Sequence, residues 1–220
     1  MRMRRLKVKT YPNFYFEKKY WKQGFKLVAG ADEVGRGSFA GPVVAACVVY
    51  LPEISKPKFQ LPNRIRINDS KKLTPKQRKE AEVWIKDNAL SWGIGETSAS
   101  LINRIGMGKA TKIAFRRAIK ATRSKLDFLL IDAFFIPYVR GLRRKNQKAI
   151  VNGDEKSFTI ASASIIAKVY RDNLMIGLSE KYPNFGWERN KGYGTLEHRR
   201  AIKKYGPTRL HRKDFIKGLT

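Results

Sequence analysis

The chain reads as an α/β fold, and three observations predict it. Short apolar runs bounded by turn signals recur at 27–32, 43–51, 90–97 and 127–131, with a briefer one at 149–151. Stretches with helical spacing separate and follow them. At 220 residues the chain has the length for one sizeable core, or one core with a small appendage. Strands alternating with helical patterns argue for a layered α/β domain, and the late helical patterns for a helical addition at the C-terminus.

The elements follow in order. Residues 1–26 are basic and aromatic, with Tyr11, Phe14, Tyr15, Phe16, Tyr20, Trp21 and Phe25 set among lysines. This segment reads either as a helix packed on the body or in part as a nucleic-acid contact. Its aromatics are assigned to packing and most of its lysines to a solvated face. Leu27 to Asp32 and Val43 to Leu51 read as buried strands joined by a Gly-rich turn. Residues 52–68 form a loop. Thr74-Pro75-Lys76-Gln77 supplies an N-cap, a proline at the first helical position and a capping-box glutamine, so a helix should run to about Asn88. Leu90 to Thr97 reads as a strand and 100–124 as one helix. Asp127 to Ile131 is a strand ending in Asp132, and 149–151 a further short strand. A long helix spans 157–180, and after the Tyr-Pro-Asn-Phe-Gly break at 182–186 a short one covers 195–205. The division expected is an N-terminal segment, 1–26, and a domain, 27–220, whose helical portion begins near 173.

Composition narrows the function. Lys and Arg number 47 against 18 Asp and Glu, giving a formal net charge of +29 and a pI near 10.4. Such a surface attracts polyanions and gains affinity by releasing counterions. Charge alone fits a ribosomal or architectural protein equally well. Cys47, the only cysteine, lies in an apolar run, which excludes an intrachain disulfide and a cysteine-based zinc cluster. No apolar stretch reaches the twenty or so residues of a membrane span, and the basic N-terminus has no apolar signal core. A cytoplasmic, monomeric protein with nucleic acid as its partner is expected.

The chemistry concentrates in carboxylates. Asp32 and Glu33 end the first apolar run, and side-by-side negative charges repel unless a cation lies between them. Hard oxygen ligands suit magnesium or manganese. Metal-assisted phosphodiester hydrolysis needs several carboxylates converging from different strand ends. Asp132 ends another apolar run, which places it at the same kind of sheet edge. Of Asp32 and Glu33, strand alternation should aim one more directly into the site. Asp154, in Asn152-Gly153-Asp154-Glu155, precedes a helix and by itself reads as an N-cap or dipole partner. By spacing alone this set is suggestive.

Longer blocks decide the matter. Gly30-Ala31-Asp32-Glu33-Val34-Gly35-Arg36-Gly37, followed by Ala40-Gly41-Pro42-Val43, resembles the signature of type 2 ribonucleases H, the ribonuclease HII family. The resemblance continues through Asn68-Asp69-Ser70-Lys71-Lys72-Leu73, Ile131-Asp132 and Gly153-Asp154. It goes on through 162–169, Arg171-Asp172, Gly192-Tyr193-Gly194-Thr195, His198, Tyr205-Gly206-Pro207-Thr208 and His211-Arg212. The blocks stand in family order from residue 30 onward and cover most of the chain.

The resemblance implies a ribonuclease H-like fold: a mixed five-stranded sheet flanked by helices, with a C-terminal helical portion. It implies endonucleolytic cleavage of RNA in RNA–DNA hybrids and on the 5′ side of single ribonucleotides embedded in duplex DNA, in replication and repair. Products would carry 5′-phosphate and 3′-hydroxyl ends. It implies Asp32, Glu33, Asp132 and Asp154 as catalytic ligands of magnesium or manganese, two ions per site. For Asp154 the capping and ligand roles are compatible. Gly35, Arg36 and Gly37 match the segment whose backbone meets the ribose 2′-hydroxyl, the group that separates RNA from DNA. Tyr193 matches a tyrosine that stacks on the sugar at an RNA–DNA junction. Ser70, Lys71 and Lys72 match a phosphate-contacting block, although a lysine pair is by default solvated. Lys168 reads equally as a structural ion pair or a substrate contact, and His198 and His211 as structural or substrate-supporting.

Two departures stand out. Ala133-Phe134-Phe135 follows Asp132 where the family commonly has a glycine, and an acidic residue expected before the Asn103 region is absent. A hybrid binder without chemistry is disfavoured by the retained acidic set, and an architectural protein by the ordered blocks. Another nuclease of the superfamily would lack Gly-Arg-Gly beside Asp-Glu.

Overall fold

The computed structural model describes residues 11–56 and 61–219. Its centre is a mixed five-stranded sheet in the order β3-β2-β1-β4-β5. The strands are β1 (Val28–Val34), β2 (Val43–Tyr50), β3 (Ser91–Thr97), β4 (Phe128–Asp132) and β5 (Gln147–Ile150). β1, β2 and β3 form an antiparallel meander, whereas β4 and β5 run parallel to β1. The resemblance implied this sheet, and each strand lies within two residues of the run that predicted it.

The helices are α1 (Tyr15–Trp21), α2 (Pro75–Asn88), α3 (Ala99–Ile105), α4 (Met107–Ala121), α5 (Phe158–Lys181), α6 (Trp187–Asn190), α7 (Leu196–Tyr205) and α8 (Lys213–Ile216). Every residue of β2 is buried because both faces of the sheet are covered. Val43, Ala45, Cys47 and Val49 face a layer made by Ala110, Ala114, Phe115 and Ala118 of α4. Val44, Ala46, Val48 and Tyr50 face the other way, onto Phe158, Ala161, Ile165 and Ala167 of α5 and Ala81 and Ile85 of α2. Burial pushes the Cys47 thiol up to about 12, so it behaves as a small apolar side chain.

One expectation changes. The single helix over 100–124 is two, broken at Gly106, whose φ of 79° no helical residue adopts. The short helices α6 and α8 lie in stretches to which the sequence assigns no element. The packing expected of the N-terminal aromatics is seen in the described part of that segment: Phe16, Tyr20, Trp21 and Phe25 pack against a cluster containing Val28, Phe128 and Ile160. The part of the N-terminal reading that concerns 1–10 lies outside the described residues.

The C-terminal helices close around their own small core of Met175, Phe185, Trp187, Ala201, Ile202 and Ile216, which also receives Ala40 from the turn after β1. The boundary expected near 173 falls inside α5, so one continuous helix serves both cores. Among the described residues no helix is long and apolar enough to cross a membrane.

Candidate active site

Topology brings the acids together. β1 and β4 are parallel neighbours in the register Ala31↔Ile131, so Asp32 and Asp132 stand side by side at the same sheet end. β5 pairs Ile150 with Asp132 and then turns through Asn152, held left-handed at φ 54°, into the 3-10 turn Gly153–Glu155. The Gly153 N–H donates to Asp132 Oδ1 at 2.7 Å, which fastens the Asp154 turn to β4. One cleft of about 370 Å³ is lined by Asp32, Glu33, Asp132 and Asp154, with Lys71, Ser164, Lys168 and Tyr193 on its other walls.

The electrostatics record the crowding. Burial first, and then the carboxylates of Glu33, Asp132 and Asp154, raise Asp32 well above the usual carboxylate range; a hydrogen bond from Ser164 opposes them. Burial together with Asp69 and Asp132 lifts Asp154 to about 6, against the pull of Lys71. Glu33 is raised by burial and steadied by Arg36, whose Nη1 lies 3.4 Å from Oε1. Its other oxygen, Oε2, is buried and has no partner among the described residues. Asp32 and Glu33 therefore both face the cleft, Asp32 in its depth and Glu33 beside Arg36.

Among the described residues no three Asp, Glu, His or Cys side chains already stand as a closed ligand cage. The donor set nevertheless fits a hard divalent cation: every candidate atom is a carboxylate oxygen, one is buried without a partner, and Asp32 and Asp154 are raised partly by their neighbours' charge.

The remaining expected residues divide. Lys71 is on the cleft wall, set there by Asp69, which caps its turn by accepting from the Lys71 N–H at 2.9 Å. Ser70 also lines the cleft, and its hydroxyl lies 3.0 Å from Ser164 Oγ, so it supports the Ser164–Asp32 contact. Lys72 is off the cleft wall and paired with Glu155 at 2.7 Å. Lys168 satisfies both of its readings: it pairs with Asp172 at 2.7 Å and also lines the cleft, 6.0 Å from the Tyr193 ring centroid. Asp154 does not cap α5. Ser157 does, accepting from the Ile160 N–H at 3.3 Å.

Gly35 adopts φ 88° and lies directly over the Arg171 guanidinium, which a Cβ would strike. Arg36 and Gly37 are exposed. Behind this turn lie two fully buried arginines to which the sequence reading gave no role. Arg171 donates to the carbonyls of Pro42, Lys191 and Ala40 at 2.9–3.1 Å. Arg212 donates to those of Gly35, Arg36 and Gly41 at 2.6–3.0 Å. Their partners are backbone groups far off in sequence, so no local pattern announces them.

Tyr193 is half-buried and is tied to the turn after β1 by a bridge with Ser38. Its carbonyl lies 2.9 Å from His198 Nδ1, while His198 Nε2 lies 3.1 Å from His211 Nε2. The Thr208 N–H donates to His211 Nδ1 at 2.8 Å. That donor makes Nδ1 the acceptor, so a neutral His211 carries its proton on Nε2 and gives it to His198. His198 then donates from Nδ1 to the Tyr193 carbonyl. The two histidines are thus structural supports of Tyr193.

The chain is similar to known proteins over most of its length. The family model described as Ribonuclease HII matches residues 29–218. A ribonuclease HII of Lactobacillus gasseri is 46% identical over 202 residues, covering 92% of this chain and 75% of the relative. Among solved structures, the ribonuclease H2 of Pyrococcus horikoshii superposes with a TM-score of 0.70 at 26% identity, covering 88% of this chain and 96% of that one. The ribonuclease HII of Archaeoglobus fulgidus, solved as a complex with PCNA, gives 0.67 at 26% identity over 84% and 93%.

Proposed function

This chain belongs to the ribonuclease HII family, and from that premise we propose that it cuts RNA endonucleolytically in RNA–DNA hybrids and on the 5′ side of single ribonucleotides in duplex DNA. Products carry 5′-phosphate and 3′-hydroxyl ends, as ribonucleotide removal in replication and repair requires. The observation that carries the reading is the single cleft shared by Asp32, Glu33, Asp132, Asp154 and Tyr193.

Asp32, Glu33, Asp132 and Asp154 would hold magnesium or manganese. Such a cation, when bound, activates water and stabilises the charge that develops on the phosphate. The chain's own residues do the rest. Lys71 and Lys168 flank the acids and offer positive charge to the phosphates beside the scissile bond. Ser164 donates a hydrogen bond to Asp32 that favours its ionised form, against the burial and neighbouring carboxylates that raise it. Arg36 and Gly37 are exposed residues of the turn Gly35–Arg36–Gly37, while the Gly35 and Arg36 carbonyls are anchored from behind by Arg212. A backbone fixed in this way reads a 2′-hydroxyl by position, and a deoxyribose offers it nothing to bond. Tyr193 lines the same cleft as the acids, and its ring meets the sugar at the junction.

The test is cleavage of an end-labelled DNA duplex containing one ribonucleotide, and of a continuous hybrid, with magnesium, manganese or chelator. Metal-dependent cuts 5′ of the ribonucleotide, leaving 3′-hydroxyls, are expected. Tight binding without cleavage of either substrate would overturn the reading.

A further inference from the structure

Glu17 lies before the 29–218 span that the family model matches, yet it is fully buried and bonded into the helix that carries Ser164 and Lys168 of the cleft. Its Oε1 accepts from Ser157 Oγ at 2.6 Å, Thr159 Oγ1 at 2.7 Å and the Thr159 N–H at 3.0 Å. These groups belong to the cap and first turn of α5. A carboxylate from α1 therefore satisfies an amide that the helix itself leaves unbonded, and sets negative charge at the positive end of a 24-residue helix.

The neighbouring chain strengthens the joint. The Asn13 N–H donates to the Lys156 carbonyl at 3.2 Å, and the Asn13 carbonyl accepts from Phe158 at 3.1 Å, so residue 13 bridges both sides of Ser157. The Phe14 ring stacks on Phe158 with centroids 4.3 Å apart. On its other side the first turn of α5 presses on β1 at Gly30, where a Cβ would run into the Thr159 backbone.

Asp154 sits three residues before Ser157, in a turn whose Gly153 carbonyl accepts from the Ser157 N–H at 2.8 Å. Asp32 sits two residues after Gly30. The first turn of α5 is thus the spacer between Asp154 and Asp32, and Glu17 holds that spacer from outside. Burial raises the Glu17 carboxyl, and its Oε2 is buried without a partner among the described residues. A site optimised for stability alone would not keep such a group.

We propose that Glu17 is a positioning residue for the reaction: through Ser157 and Thr159 it fixes where Asp154 stands relative to Asp32. The segment around residues 13–17 is then a working part of the active site. This rests on the ribonuclease reading above.

The experiment compares wild type, Glu17→Ala, Glu17→Gln, Asp154→Asn and the double variant Glu17→Ala/Asp154→Asn, on a labelled hybrid under single-turnover conditions. All are assayed below the melting temperature of the least stable. In the wild-type background Glu17→Ala is expected to lower the cleavage rate at saturating enzyme by roughly tenfold or more, with the half-saturating enzyme concentration unchanged within about twofold. In the Asp154→Asn background it should cost less than about twofold, because the residue it positions is already disabled. Glu17→Gln, which keeps an acceptor oxygen, should recover part of the loss, and it stands in should the alanine variant not fold. Equal losses in both backgrounds, or no loss of rate alongside a lower melting temperature, would reduce Glu17 to a structural residue and overturn the proposal. Failure of the wild type to cleave would instead remove the ribonuclease reading, and this inference with it.

Discussion

Arg212 donates through Nη1 to the carbonyl of Gly35 at 2.6 Å, across 177 positions of sequence. The same nitrogen reaches the Arg36 carbonyl at 3.0 Å, and Nε reaches that of Gly41. A cation from the last turns of the chain therefore sets the conformation of the turn beside Asp32 and Glu33. Burial, with Arg171 close by, lowers Arg212 to about 9, which still leaves it charged at neutral pH.

Arg212→Lys should be a poor replacement, because a single ammonium cannot reproduce a fork bonded to three carbonyls. Each charged hydrogen bond lost is worth about 1.5–3 kcal/mol. A fall of at least tenfold in kcat/KM on a single-ribonucleotide duplex is expected, with melting temperature also reduced. Activity equal to wild type would show that the turn holds its shape without Arg212.

Tyr193→Ala should depress cleavage at an isolated ribonucleotide more than cleavage of a continuous hybrid, since only the former depends on one junction contact. One stacking contact is worth about 1–3 kcal/mol, so the loss in kcat/KM should fall between about fivefold and 150-fold. Tyr193→Phe should keep most of the activity. Parallel measurement on both substrates checks the difference, and equal losses would contradict the junction role.

The paired histidines predict an acid-side loss of stability. Burial lowers both, His211 to about 4, with the charge of His198 adding to its shift. An unfolded histidine titrates at 6.5. Below that pH the unfolded chain takes up a proton that folded His211 refuses until about pH 4. This contribution to stability is complete above about 6.5 and disappears as pH falls through that window. The raised carboxyls of Asp32, Asp154 and Glu17 act in the opposite direction. The comparison to make is therefore wild type against His211→Gln, by thermal unfolding at pH 7, 6 and 5. The gap between them should narrow as pH falls, and a gap that widened would contradict the neutral pair.

Asp154→Asn should make the metal-free protein more stable. Part of what lifts Asp154 to about 6 is repulsion from Asp69 and Asp132, and the substitution removes it. After allowance for solvent screening, on the order of 1 kcal/mol is expected, a rise of a few degrees in melting temperature in chelator. A lower melting temperature would mean that the carboxylate is held by attraction.

The strands were legible from local pattern, whereas the sheet's make-up and the full acidic set, Asp154 above all, rested on the resemblance. Apolar runs ending in Asp32 and Asp132 encode strand ends, and parallel pairing then brings those ends together. The break at Gly106 was hidden because apolar spacing carries on from α3 into α4, and only the left-handed glycine interrupts it. Arg171 and Arg212 fall in blocks that resemble the family's, but nothing local shows that their partners are carbonyls of the turn after β1. Lys72 matched a phosphate-contacting block, and its pairing with Glu155 depends on a fold that brings residues 83 positions apart together. Glu17 was one acid in a basic segment; its burial depends on where α5 begins.

The most direct test of the central claim takes Asp132→Asn and wild type through cleavage and binding on one labelled hybrid, in the same buffer with magnesium. Asp132 anchors the Asp154 turn through Gly153 and belongs to the acidic wall, so its loss should all but abolish turnover. Binding should stay equal or tighten, because a negative charge leaves a site that faces phosphates. Turnover within a fewfold of wild type, or binding lost in step with cleavage, would contradict the assignment of this cleft as the place where RNA is cut.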